Sequence, residues 1–384
     1  KYSKLTNAWV SFVVGSSLLL KDKGGKIGFV LPAEILQVSF ALQLRKFLAH
    51  FYNKINIISF EKLVFPDIQQ EVVLLLCEKN GTQEHNIEHI ELKDANDLEQ
   101  EEIDFLETIA KKRNIATLGK YANVEVGITT GANNYFTVPL TTVEEYNLYD
   151  YAKPMVGRSV QVNSVIFTKE DWEKNKFSKA KAHLLAFPDR QNLDQNNGAV
   201  KYIAHGESLN IHKGYKTGIR NNWFVVPSLK ISDALFIRRN NLYPRLIINE
   251  AEAYTTDTMH RVFVKPDTDI KALTASYYNS LSLAFTEVSG RSHGGGVLEL
   301  MPNEAEKILL PYHKDNAEML SRIDELIRDK TDIEEVLKIT NEVILKQHYG
   351  LTQKEIDLAH SIWKKLSKRR LNRGKKNNKG QASE

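Results

Sequence analysis

The sequence predicts an α/β opening, the second half of an open sheet that ends in an antiparallel hairpin, followed by a mixed α+β portion and C-terminal helices. Three observations carry this prediction. Between Asn7 and Lys79, apolar residues at helical spacing alternate with short continuous apolar runs, in the order helix, strand, helix, strand, strand. From about Leu118 the texture changes to short β-like pieces broken by Gly, Asn and Pro. From Asn303 onward three helical segments follow; one ends at Gly350 and the next opens at Thr352, with Glu355 three residues later as a capping box requires.

Taken in order, NAWVSFVVGSSLLLKD (7–22) sets Trp9, Phe12, Val13, Leu19 and Leu20 at helical spacing and is ended by Gly24 and Gly25. KIGFVLP (26–32) has the continuous apolar run of a buried strand, closed by Pro32. SFALQLRKFLAHF (39–51) is amphipathic, with Phe40, Leu44, Phe47 and Leu48 on one face. KINIISF (54–60) and EVVLLLCEK (71–79) are strands separated only by LVFPDIQQ and neighbouring residues, so they pair as a hairpin. The first two strands are joined by a helix, which implies a parallel pair. Residues 81–117 are polar and acidic, a linker holding a strand and a helix. VEVGITTGANNYFTV (124–138), VGRSVQVNSVIF (156–167), NNWFVVP (221–227), RLIIN (245–249) and HRVFV (260–264) are the clearest β-like pieces of the next portion. A single helix over 269–290 runs into the glycine loop RSHGGGVLEL. The domain boundaries expected are 1–80, 81–117, 118–312 and 313–371, with a disordered basic tail over 372–384.

With 384 residues the chain has room for two or three domains, and its 42% hydrophobic and 26% charged content is that of a globular protein. No apolar run approaches the ~20 residues of a membrane span, and the N-terminus lacks the pattern of a signal peptide. The single cysteine, Cys77, excludes an intramolecular disulfide and fits the reducing cytoplasm. The scattered histidines show no zinc-ligand spacing, so no metal is expected. Net charge is +4 overall but +8 from Lys364 onward, where nine basic residues face only Glu384, which leaves −4 for residues 1–363. Such a tail suggests a polyanion partner and equally fits a solvated segment without one. Glu250, Glu252 and Asp257 lack the lysine that a metal-dependent nuclease pairs with its carboxylates, and they are expected to face solvent.

GGKIGFVLPAEIL, LVFPDIQQEVVLLLCEK, VGITTGANNYF and GRSHGGGVLEL, in that order over nearly the whole chain, resemble the gamma-class N6-adenine DNA methyltransferases of restriction–modification and phage-defence systems. The resemblance implies a class I S-adenosylmethionine methyltransferase sheet followed by a target-recognition domain that reads double-stranded DNA. It implies that this chain is the C-terminal part of such an enzyme. The family's Asn-Pro-Pro-Tyr motif is not in the sequence, and the first residue is Lys1 rather than Met, so a fragment is expected, inactive by itself. Most contacts to S-adenosylmethionine are then expected upstream, and the missing half or a cognate nuclease is a further expected partner.

The resemblance also assigns residues. Phe65, stiffened by Pro66, matches the loop aromatic that stacks the flipped adenine. Rotating a base out of a duplex costs a few kcal/mol, and an aromatic face returns ~1–3 kcal/mol. The residues alone equally allow Phe65 to pack beneath the hairpin. Trp9 falls where the family lines the cofactor's adenine pocket, while helical periodicity equally makes it a core residue. Thr129, Thr130, Asn133 and the neighbouring Gly131, Ala132 and Asn134 form a small polar loop suited to phosphate or adenine contacts, or a plain turn. Arg158 after Gly157, and Arg291 with His293, Gly294 and Gly295, put an arginine beside backbone that can approach DNA closely. Arg220, Trp223, Arg238 and Arg239 are further candidates, though exposed arginines are usually only solvated. Two functions follow from these readings. One is a part of an adenine-specific DNA methyltransferase; the other is a non-catalytic DNA-binding specificity module or remnant.

Overall fold

In the computed structural model the described residues are 8–36, 41–60, 72–79, 86–92, 98–189, 193, 198–293 and 295–375. They form a mixed α/β protein of two compact units. The first comprises residues up to 97 with 291–298 and 367 onward, and the second comprises 98–290 and 299–366.

The first unit is built from α1 (Ala8–Leu18), β1 (Gly25–Pro32), α2 (Leu42–Phe51), β2 (Lys54–Phe60), β3 (Val72–Lys79) and β4 (Asn86–Leu92). The hairpin expected of β2 and β3 is present, with Lys54 opposite Glu78 and Ser59 opposite Val73. The parallel β1–β2 pair is not. The strand order is β1-β3-β2-β4, and β1 pairs antiparallel with β3, from Gly25 opposite Lys79 to Pro32 opposite Val72. A helical crossover fixes strand direction but not adjacency, because a ten-residue helix is ~15 Å long and spans two ~4.8 Å strand spacings easily. The most apolar strand, β3, lies between β1 and β2. Strands β1 and β2 therefore run the same way on either side of it, and β4, read as part of the linker, adds in parallel to the outer edge of β2.

One face of this sheet is packed. Leu31, Ile55, Val73, Leu75 and Cys77 are buried together with Val10 and Val13 of α1 and Leu44 and Leu48 of α2. Burial pushes the Cys77 thiol up to about 12, so it behaves as a small apolar side chain. The other face and α1 expose apolar side chains, among them Phe12, Leu19, Val30 and Leu76. Phe40, read as part of the α2 face, lies outside the described residues.

The second unit opens with α3 (Gln100–Lys112) and holds two sheets. One consists of β5 (Ala122–Val126), β9 (Ala234–Ile237), β10 (Leu246–Ile248) and β12 (Met259–Val264) in the order β10-β9-β12-β5, antiparallel throughout. The other consists of β6 (Thr137–Val138), β7 (Ala152–Val156), β8 (His183–Leu185) and β11 (Tyr254–Thr255) in the order β11-β7-β8-β6. Between them come α4 (Lys169–Phe177), α5 (Gly198–Ser208) and the single turn α6 (Tyr215–Gly218). NNWFVVP forms no strand; Phe224 and Val226 are buried and Trp223 half-buried in an aromatic cluster, so packing fixes the segment without a ladder. The helix expected over 269–290 is two, α7 (Ile270–Tyr277) and α8 (Ser280–Ser289). Asn279 breaks it: its side chain accepts from the Ser282 N–H at 2.9 Å and donates to the Ser276 carbonyl at 2.7 Å. A side chain that caps both ends competes with the helix backbone. After α9 (Leu320–Arg328) and α10 (Ile333–Thr340), the last helix, α11 (Gln353–Lys375), starts at the expected box, where Glu355 accepts from the Thr352 N–H at 2.8 Å. Among the described residues no helix is long and apolar enough to cross a membrane.

Candidate nucleic-acid interface

Three segments of the second unit meet around the polar loop after β5. Gly127 donates to the Met259 carbonyl at 3.1 Å and Ile128 to the Thr255 carbonyl at 2.8 Å. These bonds lay the start of the loop against the turn between β11 and β12. Gly127 is needed there, since a Cβ would lie 1.9 Å from the Thr256 carbonyl oxygen. The loop then folds on itself. Thr130 is buried; its hydroxyl donates to the Asn133 side-chain oxygen and accepts from the Ala132 N–H. Asn133 Nδ2 reaches across to Asp257 Oδ1 at 3.0 Å. Gly131 turns the chain with φ +80°, the left-handed region that glycine adopts without steric cost.

The aromatic end of the motif anchors this loop. Tyr135 and Phe136 are buried, and the Tyr135 ring stacks on Tyr202 at 4.7 Å. Each of these two tyrosines donates its hydroxyl to the other's carbonyl, at 2.9 and 2.8 Å. The polar residues therefore ride on a rigid aromatic base. The Gly157–Arg158 segment joins the same turn: the Thr258 hydroxyl donates to the Gly157 carbonyl at 2.8 Å, and Gln161 Oε1 accepts from both the Gly157 and Arg158 N–H groups. The structure thus brings Thr129, Thr130, Asn133 and Arg158 together around Asp257 and Thr258. Thr129, Asn133, Asn134 and Arg158 are exposed. Lys181 donates to the Asn134 side-chain oxygen at 3.0 Å, which adds positive charge to the rim.

The candidate arginines have structural duties. Arg220 is half-buried, and its Nη2 donates to the Thr129 and Thr130 carbonyls at 3.2 and 2.7 Å. It braces the loop from below, and those carbonyls replace the water its half-buried guanidinium gives up. Trp223 packs its ring 5.3 Å from Tyr135. Arg238 and Arg239 share Glu299, at 2.8 and 3.0 Å. Sequence spacing offered no sign of this bracing, since the partners are tens of residues apart.

The remaining candidates lie elsewhere. Arg291, His293 and Gly295 belong to the first unit, as does Trp9. Arg291 pairs with Glu34, of the segment that follows β1, at 3.3 Å. Two of the motifs carrying the resemblance are therefore joined by an ion pair inside one unit. Trp9 packs half-buried on that unit's core. Phe65, Pro66 and Gly294 lie outside the described residues. The ends of the 61–71 segment are placed, however: the chain leaves β2 at Phe60 and re-enters β3 at Val72, opposite Pro32. That is the edge at which the parallel strands β1 and β2 both terminate.

The basic run read as a tail needs correction. As far as Lys375 it is helix α11. Lys364 pairs with Glu334, Lys365 bridges Glu99 and Glu102 at 3.3 and 2.9 Å, and Arg370 is buried and donates to the Gly296 carbonyl. Burial alone would raise the Glu102 carboxyl, but Lys365 and the other donors outweigh it and hold it below the usual range. The helical segment was expected to end at 371 and runs on to Lys375; charge, given more weight than the helical pattern, makes the stretch from Lys364 look like a tail. Glu250 and Glu252 are exposed as expected. Folding also gathers His313, Asp315 and His348, whose ligand atoms lie within 4.8 Å of one another. The two imidazoles are stacked at 4.6 Å and His348 Nδ1 contacts Asn316 Oδ1 at 2.6 Å.

Comparison with known proteins bears on these observations. A model of the family described as "Type II methyltransferase M.Eco57I, C-terminal domain" matches residues 95–345, more than half of the chain. The type II methyltransferase M.AccI of Acinetobacter calcoaceticus is 24% identical over 390 aligned positions, covering 86% of this chain and 71% of that protein. Among solved structures, the type IIG restriction endonuclease BpuSI aligns with TM-score 0.42 and 13% identity over 96% of this chain and 49% of its own. The type IIL restriction–modification enzyme MmeI in complex with DNA aligns with TM-score 0.47 and 11% identity over 90% and 50%. The chain spans about half the length of these two enzymes.

Proposed function

Because the chain belongs to the family of C-terminal domains of type II methyltransferases typified by M.Eco57I, we propose that it works as part of a restriction–modification DNA methyltransferase that modifies adenine at N6 in the cytoplasm. The second unit reads double-stranded DNA, and the first contributes part of a class I methyltransferase sheet. The observation that carries this reading is the place where the 61–71 segment leaves the sheet. In open α/β sheets ligands bind beyond the carboxyl ends of the parallel strands, and the chain carrying Phe65 and Pro66 departs from that edge, beside Pro32. On this reading Phe65 would stack a base rotated out of the duplex, a rotation required because the exocyclic amine is otherwise inside the stack. The bare apolar face of the sheet, with Val30 and Leu76, is what a sheet belonging to a larger α/β domain presents. S-adenosylmethionine would supply the methyl group. Trp9, half-buried on α1, is the residue of this chain that would flank it.

In the complete enzyme, Phe65→Ala is expected to lower methylation per folded molecule by ~1–3 kcal/mol of lost stacking, with an unchanged melting temperature. An abasic or mismatched target is expected to restore part of the binding, because it unstacks more easily. A large fall in melting temperature with methylation intact would make Phe65 a core residue and sink the assignment.

On this reading the exposed Arg158 would neutralise a phosphate. Arg158→Ala is expected to weaken cognate and scrambled duplexes alike and to reduce the log–log salt slope by ~0.9. A loss confined to the cognate site would instead make it a base reader. Alanine at Lys365 is expected to leave the slope unchanged, because that ammonium is held by Glu102.

A second reading rests on one fact of the sequence, which contains no Asn-Pro-Pro-Tyr run. On that reading these 384 residues bind DNA and transfer nothing by themselves. Methyl transfer from labelled S-adenosylmethionine by the purified chain would contradict it.

A further inference from the structure

The segment from Ser208 to Asn222 (SLNIHKGYKTGIRNN) stands beside the polar loop and combines three features. Its backbone is pinned. Thr217 is buried, and its hydroxyl donates to the Ile211 and Gly214 carbonyls at 2.5 and 3.1 Å. Arg220 holds the carbonyls of Thr129 and Thr130, and a Cβ on Gly131 would lie 3.0 Å from the Lys216 Cβ. The turn α6 is therefore seated against the loop from within.

Its outward side is apolar. Tyr215 is 84% exposed and Ile219 73% exposed. They are four residues apart across one helical turn, so they share a side, and Thr217 faces the other way. Among the described residues no aromatic ring packs on Tyr215. Two large apolar side chains held side by side on a fixed turn make a small contiguous exposed patch.

Its surroundings are positive. The sequence from Ser208 to Ser232 contains no Asp or Glu, while Lys213, Lys216, Arg220 and Lys230 carry charge. Lys213 and Lys216 are exposed on either side of Tyr215. Asp189 and Glu207 touch the Asn222–Trp223 end of the stretch; apolar tips flanked by cations match a duplex, where a wedge against base edges is framed by phosphates. They do not match a second copy of the same positive surface, which like charges would repel.

We propose that Tyr215 and Ile219 form an apolar wedge that presses against base edges of double-stranded DNA, with Lys213 and Lys216 neutralising the adjoining phosphates. The proposal rests on the reading of the second unit as a DNA-binding body and adds the place and the chemistry of one contact.

The test uses the full chain and a fluorescein-labelled mixed-sequence duplex, titrated at several salt concentrations, with a matching duplex that carries 2-aminopurine as a reporter of unstacking. Binding by the unaltered chain is expected to raise 2-aminopurine emission. Tyr215→Ala and Ile219→Ala are each expected to weaken binding roughly tenfold, as loss of one base contact does. The salt slope should stay the same and the emission change should be lost. Tyr215→Phe is expected to behave as the unaltered chain. Lys213→Ala and Lys216→Ala are expected to lower the slope by ~0.9 each. Both apolar positions are on the surface, so melting temperatures should not move.

Unaltered binding and emission in Tyr215→Ala and Ile219→Ala overturn the wedge and leave the DNA-binding reading standing. Absence of any duplex binding by the unaltered chain removes both together. If Tyr215→Ala alters only the sedimentation of the free chain, the surface is a contact between copies and the wedge is wrong.

Discussion

Replacing Glu355 by glutamine is expected to lower the stability of the second unit by ~3 kcal/mol near neutral pH, and by progressively less as the solution is acidified. Glu355 sits where two helix ends meet. It caps α11 through the Thr352 N–H at 2.8 Å, and it accepts from Arg113, the residue that ends α3, and from Lys112 at 2.9 Å. The carboxylate thus lies at the positive end of one helix and the cations at the negative end of the other, so both dipoles are complemented. Its side chain is only 8% exposed, so solvent screens the pair weakly. Burial alone would raise the carboxyl, but Arg113, the Thr352 backbone and Lys112 outweigh it and hold it down to about 2, from an ordinary 4.5.

A carboxyl depressed in the folded state contributes stability that is complete above its unfolded pKa and disappears as pH falls through the folded one. The window is therefore about 4.5 down to about 2. At 1.36 kcal/mol per pH unit that interval corresponds to the ~3 kcal/mol expected. Glutamine keeps the shape and the bond to Thr352 but leaves Arg113 without its counter-charge, which is costly for a partly buried cation. Urea midpoints of both proteins should be well separated at pH 7 and should converge as pH falls toward 3. A gap that stays constant with pH would show that the loss is one of packing and not of charge.

How much of this was legible in the sequence differs between the two units. In the first, local patterns sufficed to find most elements, because β1, β2 and β3 are short apolar runs and each helix has an apolar face, whereas β4 was read only as a strand of the linker. What failed was adjacency: nothing in KIGFVLP or KINIISF records that β3 lies between them, since a crossover determines direction alone. The capping box at Thr352 and Glu355 was visible because its members are three residues apart, whereas the Arg113 partner is 242 residues away and left no local trace. Asn279 was legible only in retrospect, since an isolated Asn within an apolar helical run is a weak break signal.

The candidate interface divides in the same manner. The VGITTGANNYF motif does form the polar loop that was expected, but the sequence could not separate its exposed residues from its supports. Tyr135 and Phe136 are the base, Thr130 is an internal tie, and Thr129, Asn133 and Asn134 form the exposed rim. Arg220 looked like a candidate for DNA and serves as a brace, while Tyr215 beside it carried no motif at all. The GRSHGGG loop was read with the recognition half, yet Arg291 pairs with Glu34 of the first unit. Charge density misled at Lys364 and Lys365, where the partners, Glu334 and Glu102, come from other helices.

Substituting alanine for Gly127 is expected to have the largest effect of any single methyl group added to the candidate interface, ~3 kcal/mol of stability, at the upper end of what overpacking costs. The added carbon would lie 1.9 Å from the Thr256 carbonyl oxygen and 2.5 Å from that of Met259. Both neighbours are backbone, so no side chain can rotate aside, and the segments must part. Parting them breaks the bonds from Gly127 to Met259 and from Ile128 to Thr255, and it withdraws Asn133 from Asp257. Gly131→Ala makes a useful contrast. There the difficulty is the left-handed backbone at φ +80° and a 3.0 Å approach to the Lys216 Cβ, which asks the neighbour to shift by only a few tenths of an ångström. Its cost is expected to be ~1–2 kcal/mol, that of the conformation alone. Binding corrected for folded fraction should fall strongly in Gly127→Ala, because the rim residues lose their placement against Arg158 and the 255–259 turn, and only modestly in Gly131→Ala. Equal stability of Gly127→Ala and the unaltered chain in urea would mean that the loop does not lie against that turn in solution, and the interface built on it would have to be redrawn.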